Sequence, residues 1–291
     1  MDATVRRVED LVARVEHEKR LDTAVGALTG WIERLVPTGG ARDALHGVWL
    51  GHPLHPVLTD LPIGAWTSAA ILDIVGGRRS ARAAQRLVGF GCLSALPTAL
   101  SGATDWSRAE RRDQRTGLVH AAANSVAVVL YAWSWNERRR GRRAVGIALG
   151  LGGAGAATVG GYLGGHLVFR RSVGANRVAG VEPPSHWSDA TPTPTSGAFG
   201  TKVLRLDDDS ILVAEELGAG ISTRCSHEGG PLDEGDLVGD GTGRCVVCPW
   251  HGSTFRLRDG SVVHGPATSP QPAYDVKRTG TGWQVRGRTG S

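Results

Sequence analysis

Three stretches of this 291-residue chain contain no Asp, Glu, Lys or Arg: Leu87 to Thr104, Thr116 to Asn136 and Ala144 to Phe169, of 18, 21 and 26 residues. A fourth, Val57 to Val75, carries only Asp60 and Asp73. A helix needs about 20 mostly apolar residues to cross a bilayer. Arginine clusters separate the runs: Arg78, Arg79 and Arg82; Arg108, Arg111, Arg112 and Arg115; Arg138 to Arg140 with Arg142 and Arg143; Arg170 and Arg171. The pattern predicts a four-helix transmembrane bundle with spans at about 57–76, 87–104, 117–136 and 144–169.

A soluble bundle of buried Gly/Ala-rich helices is the alternative, and two features weigh against it. In the last run Gly146, Gly150, Gly153, Ala157, Gly160 and Gly164 recur every three or four residues and share one helix face. Such a face permits close helix approach in lipid, whereas so many glycines weaken a helix in water. Trp49, Trp66, Trp106, Trp133 and Trp135 lie near segment ends, as interfacial anchors do. Residues 3 to 22 alternate charge with Val5, Val8, Leu11, Val12 and Val15, which reads as an amphipathic helix on the membrane or on a partner. No apolar segment follows Arg6 and Arg7 closely enough for a secretory signal.

The mean hydropathy of −0.14 describes neither part of the chain. Up to Gly180 there are 23 basic and 14 acidic residues, net +9; beyond it 10 and 14, net −4. Four cysteines in this length exclude a disulfide framework. Glycine is abundant, at 42 residues, but lacks the G-X-Y period of collagen. After Phe169 the segment with Pro183, Pro184 and Thr191-Pro192-Thr193-Pro194 reads as a linker. Short apolar runs then alternate with turn residues such as Asp207-Asp208-Asp209-Ser210, Asp259-Gly260 and Thr279-Gly280, the signature of a small antiparallel β domain.

Within that β domain stand Cys225-Ser226-His227 and Cys248-Pro249-Trp250-His251, with 20 residues between His227 and Cys248. Two loops that each offer a thiolate and an imidazole suit a Rieske [2Fe–2S] centre, in which two thiolates hold one iron and two imidazoles the other. The flanking glycines let backbone N–H groups turn toward the sulfurs. The same donor set also serves structural zinc, although the C-H-C-H order and the short C-x-H spacing favour the cluster. Cys245 and Cys248 form a C-x-x-C pair, but Val246 and Val247 read as strand, so Cys245 is expected to be buried in it. Cys92 is expected to be packing within the second span.

From about His186 onward the chain resembles the Rieske family, through CSHEGGPL (Cys225 to Leu232), CPWHGSTF (Cys248 to Phe255) and Gly265-Pro266-Ala267. The resemblance implies that Cys225 and Cys248 ligate one iron, that His227 and His251 ligate the other, and that the proline loop covers the cluster. The respiratory type has cysteines where this chain has Gly230 and Trp250, and a tyrosine where it has Phe255. The chain is therefore similar to the ferredoxin-like type, with fewer donors to the sulfurs and a lower potential. The gap between the loops is a few residues longer than usual, and Gly239-Asp240-Gly241-Thr242-Gly243 is the expected insertion. Residues 45–177 resemble an uncharacterised four-helix membrane domain family through GHPLHPVLTDLPIG (Gly51 to Gly64), HAAAN (His120 to Asn124) and GGHLVFR (Gly164 to Arg170), which brings no known activity.

The expected architecture is an α + β multidomain chain. It comprises an N-terminal helical segment (1–44), a four-helix transmembrane domain (45–177), a linker (178–198) and a Rieske domain (199–291). A Rieske centre moves one electron and catalyses nothing alone. Only 40 residues follow His251, too few for the mononuclear iron domain of a terminal oxygenase. The expected function is electron transfer between a redox partner (reductase, oxygenase or respiratory component) and a membrane or soluble acceptor. The alternative is an iron–sulfur redox sensor whose membrane half has a non-redox role. The other expected partner is the lipid bilayer, and nucleic acid is not one.

Span parity puts the N-terminus and the Rieske domain on one side. It also gathers His52, His55, Asp60, His120, Asn124 and His166 toward that side, with Asp105 nearby. Polar groups inside a membrane are costly and mark sites, so this group is a candidate for haem b or a quinone head group. Its alternative is a set of interfacial histidines satisfied by water and helix ends. Eight arginines near the spans on that side against nine on the other give no orientation bias. A cytoplasmic Rieske domain is expected, because clusters are assembled there.

Overall fold

The computed structural model describes residues 3–196, 201–207, 209–239, 241, 243–280 and 282–288. The chain divides into two compact units, Met1–Pro37 with Leu54–Val173, and Thr38–Pro53 with Gly174–Ser291.

The first unit is helical: α1 (Ala3–His17), α2 (Asp22–Leu35), α4 (Leu54–Val75), α5 (Ala81–Trp106), α6 (Arg111–Arg139) and α7 (Arg143–Phe169). The last four are long and apolar enough to cross a membrane, making this a multi-pass membrane protein. Helices α5 and α6 extend past the expected spans into the arginine clusters, taking in Arg82 and Arg86, and Arg111 to Arg115 with Arg138 and Arg139. Apolarity ends at the first charge while the helical backbone continues. Helices α4 and α7 end at Val75 and Phe169, before Arg78 and Arg170. Pro62 lies inside α4 and can offer no N–H to the Leu58 carbonyl. The Thr98 hydroxyl of α5 supplies that bond at 3.2 Å.

Helix α7 presents its glycines to α6. A Cβ on Gly153 would lie 2.9 Å from the Tyr131 ring, one on Gly160 2.5 Å from Asn124, and one on Gly164 3.1 Å from His120. Trp66 was expected at an interface but is buried, stacked on Tyr131 at 4.1 Å. Trp49 and Trp133 are exposed as anchors would be. Asp73, the charge late in the first run, is bound by Arg138 at 2.6 Å and Arg143 at 3.0 Å. At the opposite end of the bundle α1 is held by Glu9–Arg170, Glu16–Arg112 and Glu16–His166, and Asp22 binds Arg115 at 2.8 Å.

Among its described residues the second unit contains α3 (Gly40–His46) and ten strands. They are β1 (Ser188–Ser196), β2 (Lys202–Leu206), β3 (Asp209–Ala214), β4 (Ala219–Ser222), β5 (Asp236–Gly239), β6 (Arg244–Val247), β7 (Thr254–Arg256), β8 (Val262–His264), β9 (Ala273–Arg278) and β10 (Trp283–Gly287). Six form a closed antiparallel barrel in the order β1-β10-β9-β4-β3-β2, and four form a sheet in the order β5-β6-β7-β8. Strand β3 serves two cores by alternation: Ile211 and Val213 point into the barrel, Leu212 and Ala214 into the core that also contains Cys225 and Cys248.

Two boundaries differ from expectation. Ser188–Ser196 was expected as linker and is instead β1, paired with β10 and β2. Its β-branched threonines favour the pleat, and a register shift after Pro192 accommodates the prolines that lack a donor. Residues 178–187 of the expected linker form no helix or strand, and Gly197 and Ala198 lie outside the described residues. Thr38–Pro53, assigned to the helical parts, groups with the β strands instead. Asp208, Asp240 and Thr242, within expected turns, also lie outside the described residues.

Candidate metal centre

Two loops of the β unit share one backbone design. The first follows β4 and the second joins β6 to β7. In the first, Cys225 N donates to Gly230 O at 2.8 Å, and Gly229 N donates to Cys225 O at 2.9 Å. In the second, Cys248 N donates to Ser253 O at 2.8 Å, and Gly252 N donates to Cys248 O at 3.0 Å. Each turn needs a left-handed residue four positions after the cysteine. Gly229 (φ 79°) and Gly252 (φ 78°) supply it at no steric cost. The Cys225 sulfur accepts from the amides of His227 and Glu228, and the Cys248 sulfur from those of Trp250 and His251. The expected turning of N–H groups toward sulfur is thus realised in both loops.

The side chains form two like pairs. The thiols of Cys225 and Cys248 are buried and hydrogen-bonded to each other; that bond raises Cys225 above an ordinary thiol and lowers Cys248 to about 6. The His227 and His251 rings lie edge to face, 5.1 Å between centroids. Burial, with His251, His46 and Arg177 nearby, pulls His227 down to about 3, so its ring is neutral and able to ligate. Its Nδ1 is buried with no hydrogen-bond partner. Among the described residues no three His, Cys, Asp or Glu side chains converge as a single-ion site requires. A soft pair beside an imidazole pair matches a binuclear centre.

Gly230 is packed between Cys248 and the half-exposed Trp250. Phe255 is fully buried beneath the loops. The segment Gly265–Ala267 is tied to the second loop by Ala267 N donating to Ser253 Oγ at 2.9 Å. Cys245 is buried in β6, and Cys92 is half-buried in α5.

Residues 196–275 match the family described as "Rieske [2Fe-2S] domain", and residues 51–177 match "Predicted membrane protein (DUF2231)". The 3-phenylpropionate/cinnamic acid dioxygenase ferredoxin subunit of Shigella boydii serotype 4 (strain Sb227) is 34% identical over 83 residues, which are 28% of this chain and 76% of that protein. The chain belongs to the Rieske [2Fe–2S] family. The ferredoxin subunit of the same name from Escherichia coli (strain K12) is 35% identical over 78 residues, 26% of this chain and 71% of that protein. A solved complex of reduced oxygenase and oxidized ferredoxin in carbazole 1,9a-dioxygenase is similar over 40% of this chain and 94% of its own, at 20% identity and a TM-score of 0.23. The Rieske domain carries a single [2Fe–2S] cluster, and the protein is an electron-transfer component rather than a terminal oxygenase.

The polar residues expected to meet at one membrane face fall into separate places. His55, His120 and Asn124 come together inside the bundle. The two rings are 6.4 Å apart edge to face, and the Asn124 amide is 3.2 Å from His120 Nε2. His55 Nδ1 donates to Thr98 O at 2.9 Å and His120 Nδ1 to Gly160 O at 2.7 Å. His166 binds Glu16 of α1 at 2.7 Å instead. Asp60 is exposed on α4 and His52 belongs to the other unit. Helical phase accounts for the first two differences. Asp60 is five residues past His55, about 140° around the helix, and His166 is two past Gly164, about 200° around it.

Asp43 and His46 of α3 were missed by sequence reasoning. They lie far upstream of the ligand loops, with no motif around them, yet both touch the loop that follows β8.

Proposed function

We propose that this protein is a membrane-anchored Rieske electron carrier in which Cys225 and Cys248 hold one iron and His227 and His251 the other. The observation that carries this reading is the pairing of like donors on two matching loops, with the His227 Nδ1 buried and otherwise unsatisfied. Such a cluster accepts and returns one electron. The protein's part is to shape that exchange: four backbone amides aim at the two sulfurs and stabilise their charge, favouring the reduced state. Neutral imidazoles add no anionic charge of their own. Trp250, exposed beside His251, leaves the second loop open to a partner. Because the relatives are ferredoxin subunits of dioxygenases, the partner proposed is a reductase or oxygenase component. Replacing His251 by Cys tests the assignment: the Rieske EPR signal should be lost and the average g value should rise, since the site would then hold three cysteines and one histidine. Retention of the unaltered signal would exclude His251 as a ligand.

A second reading concerns the bundle interior, where the His55–His120 pair supports a membrane-side redox site for haem b or a quinone head group. With each Nδ1–H given to a backbone carbonyl, each Nε2 is an acceptor, and that of His120 already faces the Asn124 amide at 3.2 Å, which a haem iron or a quinone hydroxyl would have to displace. A Soret band lost in His120→Ala supports haem. Quinone-dependent reoxidation lost in the same variant, without a Soret band, supports quinone. Unchanged electron exchange with the membrane excludes both. The Rieske domain is proposed to face the cytoplasm, which keeps thiols such as Cys245 reduced; protease access in right-side-out and inverted vesicles tests this.

A further inference from the structure

Helix α3 lies outside residues 196–275 that match the Rieske family, yet it is packed into the same unit. Its Asp43 is bonded twice to the loop that closes over the centre: Oδ1 accepts from Gly265 N at 2.9 Å, and Oδ2 pairs with His264 Nδ1 at 2.8 Å. One turn on, His46 is almost fully buried, and a Cβ on Gly265 would come within 2.9 Å of its ring. The helix is stopped at that point by Gly47, left-handed at φ 89°, whose N–H returns to the Asp43 and Ala44 carbonyls. The loop it grips is itself fastened to the second ligand loop through Ala267 N and Ser253 Oγ. The contacts therefore run continuously from α3, through His264–Ala267, to the residues beside His251.

The return strand of chain makes a matching contact. Just after α7, Arg177 N donates to Ser226 O at 2.9 Å, and the Arg177 guanidinium pairs with Glu228 at 3.2 Å. Both partners lie in the first ligand loop. The segment that enters the first span thus holds the cover loop, and the segment that leaves the last span holds the first ligand loop.

We propose that α3 is a clamp on the cover loop of the Rieske centre, with Asp43 and His46 acting as positioning residues for the cluster. Asp43 fixes the loop by hydrogen bonding and places a negative charge at its edge, which disfavours electron uptake. The clamp rests on the ligand assignment proposed above, but part of its test does not.

The experiment uses the full-length protein in detergent, with Asp43→Asn, which removes the charge and keeps an acceptor, and Asp43→Ala, which removes both. Redox titration followed by EPR should show a higher midpoint potential in Asp43→Asn at unchanged iron content. Hydrogen exchange across 264–267 should be roughly tenfold or more faster in Asp43→Ala, as expected for loss of a charge-assisted bond. Asp43→Ala protein that folds but fails to retain iron also supports the clamp. Wild-type midpoint and wild-type exchange in both variants overturn it, and faster exchange with an unshifted midpoint in both overturns the positioning role. Absence of any Rieske signal in the wild type would instead count against the ligand assignment, and the exchange measurement would still read the clamp.

Discussion

At Gly230 a Cβ would sit 2.8 Å from Cys248 Sγ and 3.0 Å from the Trp250 ring, closer than real side chains approach. The indole is half-exposed and can swing away, but the sulfur is held by two backbone amides and by Cys225. Gly230→Ala should therefore disturb the sulfur as well as the indole. Its expected cost is about 1–3 kcal/mol, read by chemical unfolding, together with a fall in iron per chain in the purified protein. Among the residues around the centre, the four donors and their glycines were legible because their spacing is local to each loop. Asp43 and His46 were not, because nothing in a short window of sequence records a contact made across more than two hundred residues.

The glycine face of α7 was legible from its period alone, and the structure gives each glycine its neighbour on α6. Gly153→Leu should push the Tyr131 ring off Trp66 and lower stability by about 1–3 kcal/mol, seen as a lower melting temperature in detergent. Gly155→Leu is the control, since nothing lies within 4 Å of a Cβ there, and it should leave that temperature unchanged. Strand β1 was hidden because prolines and threonines read as linker until a barrel offers them partners on both sides. Strand β4 was hidden because Ala219, Gly220 and Ser222 are small and leave Ile221 as its one large apolar residue, so no apolar alternation shows although all four are buried. The hairpins at Asp207 and Gly260 were visible because their turn residues adopt left-handed backbone, φ 51° and 74°.

For the molecule as a whole, charge and apolarity divided the chain correctly into membrane and β parts, but not at the right residues, since Thr38–Pro53 joins the β unit. The helical unit has its own pH dependence through Glu16. Burial works to raise that carboxyl, but hydrogen bonds from His166 and Arg112 outweigh it, and the net shift is downward. A carboxylate held below its unfolded value stabilises the fold above the ordinary glutamate range and loses that contribution as pH falls through its folded value. Acidification below about pH 4 should loosen α1 from the bundle, measured as faster hydrogen exchange in Ala3–His17; Glu16→Gln should weaken that pH dependence, leaving only the part carried by the Glu9–Arg170 pair. Whether two cysteines and two histidines hold a Rieske cluster on a membrane anchor is decided by EPR of the full-length protein purified from membranes and reduced with dithionite. A Rieske-type signal, with an average g value below that of all-cysteine clusters, and two irons per chain are expected; a silent spectrum with one zinc per chain would contradict a Rieske cluster.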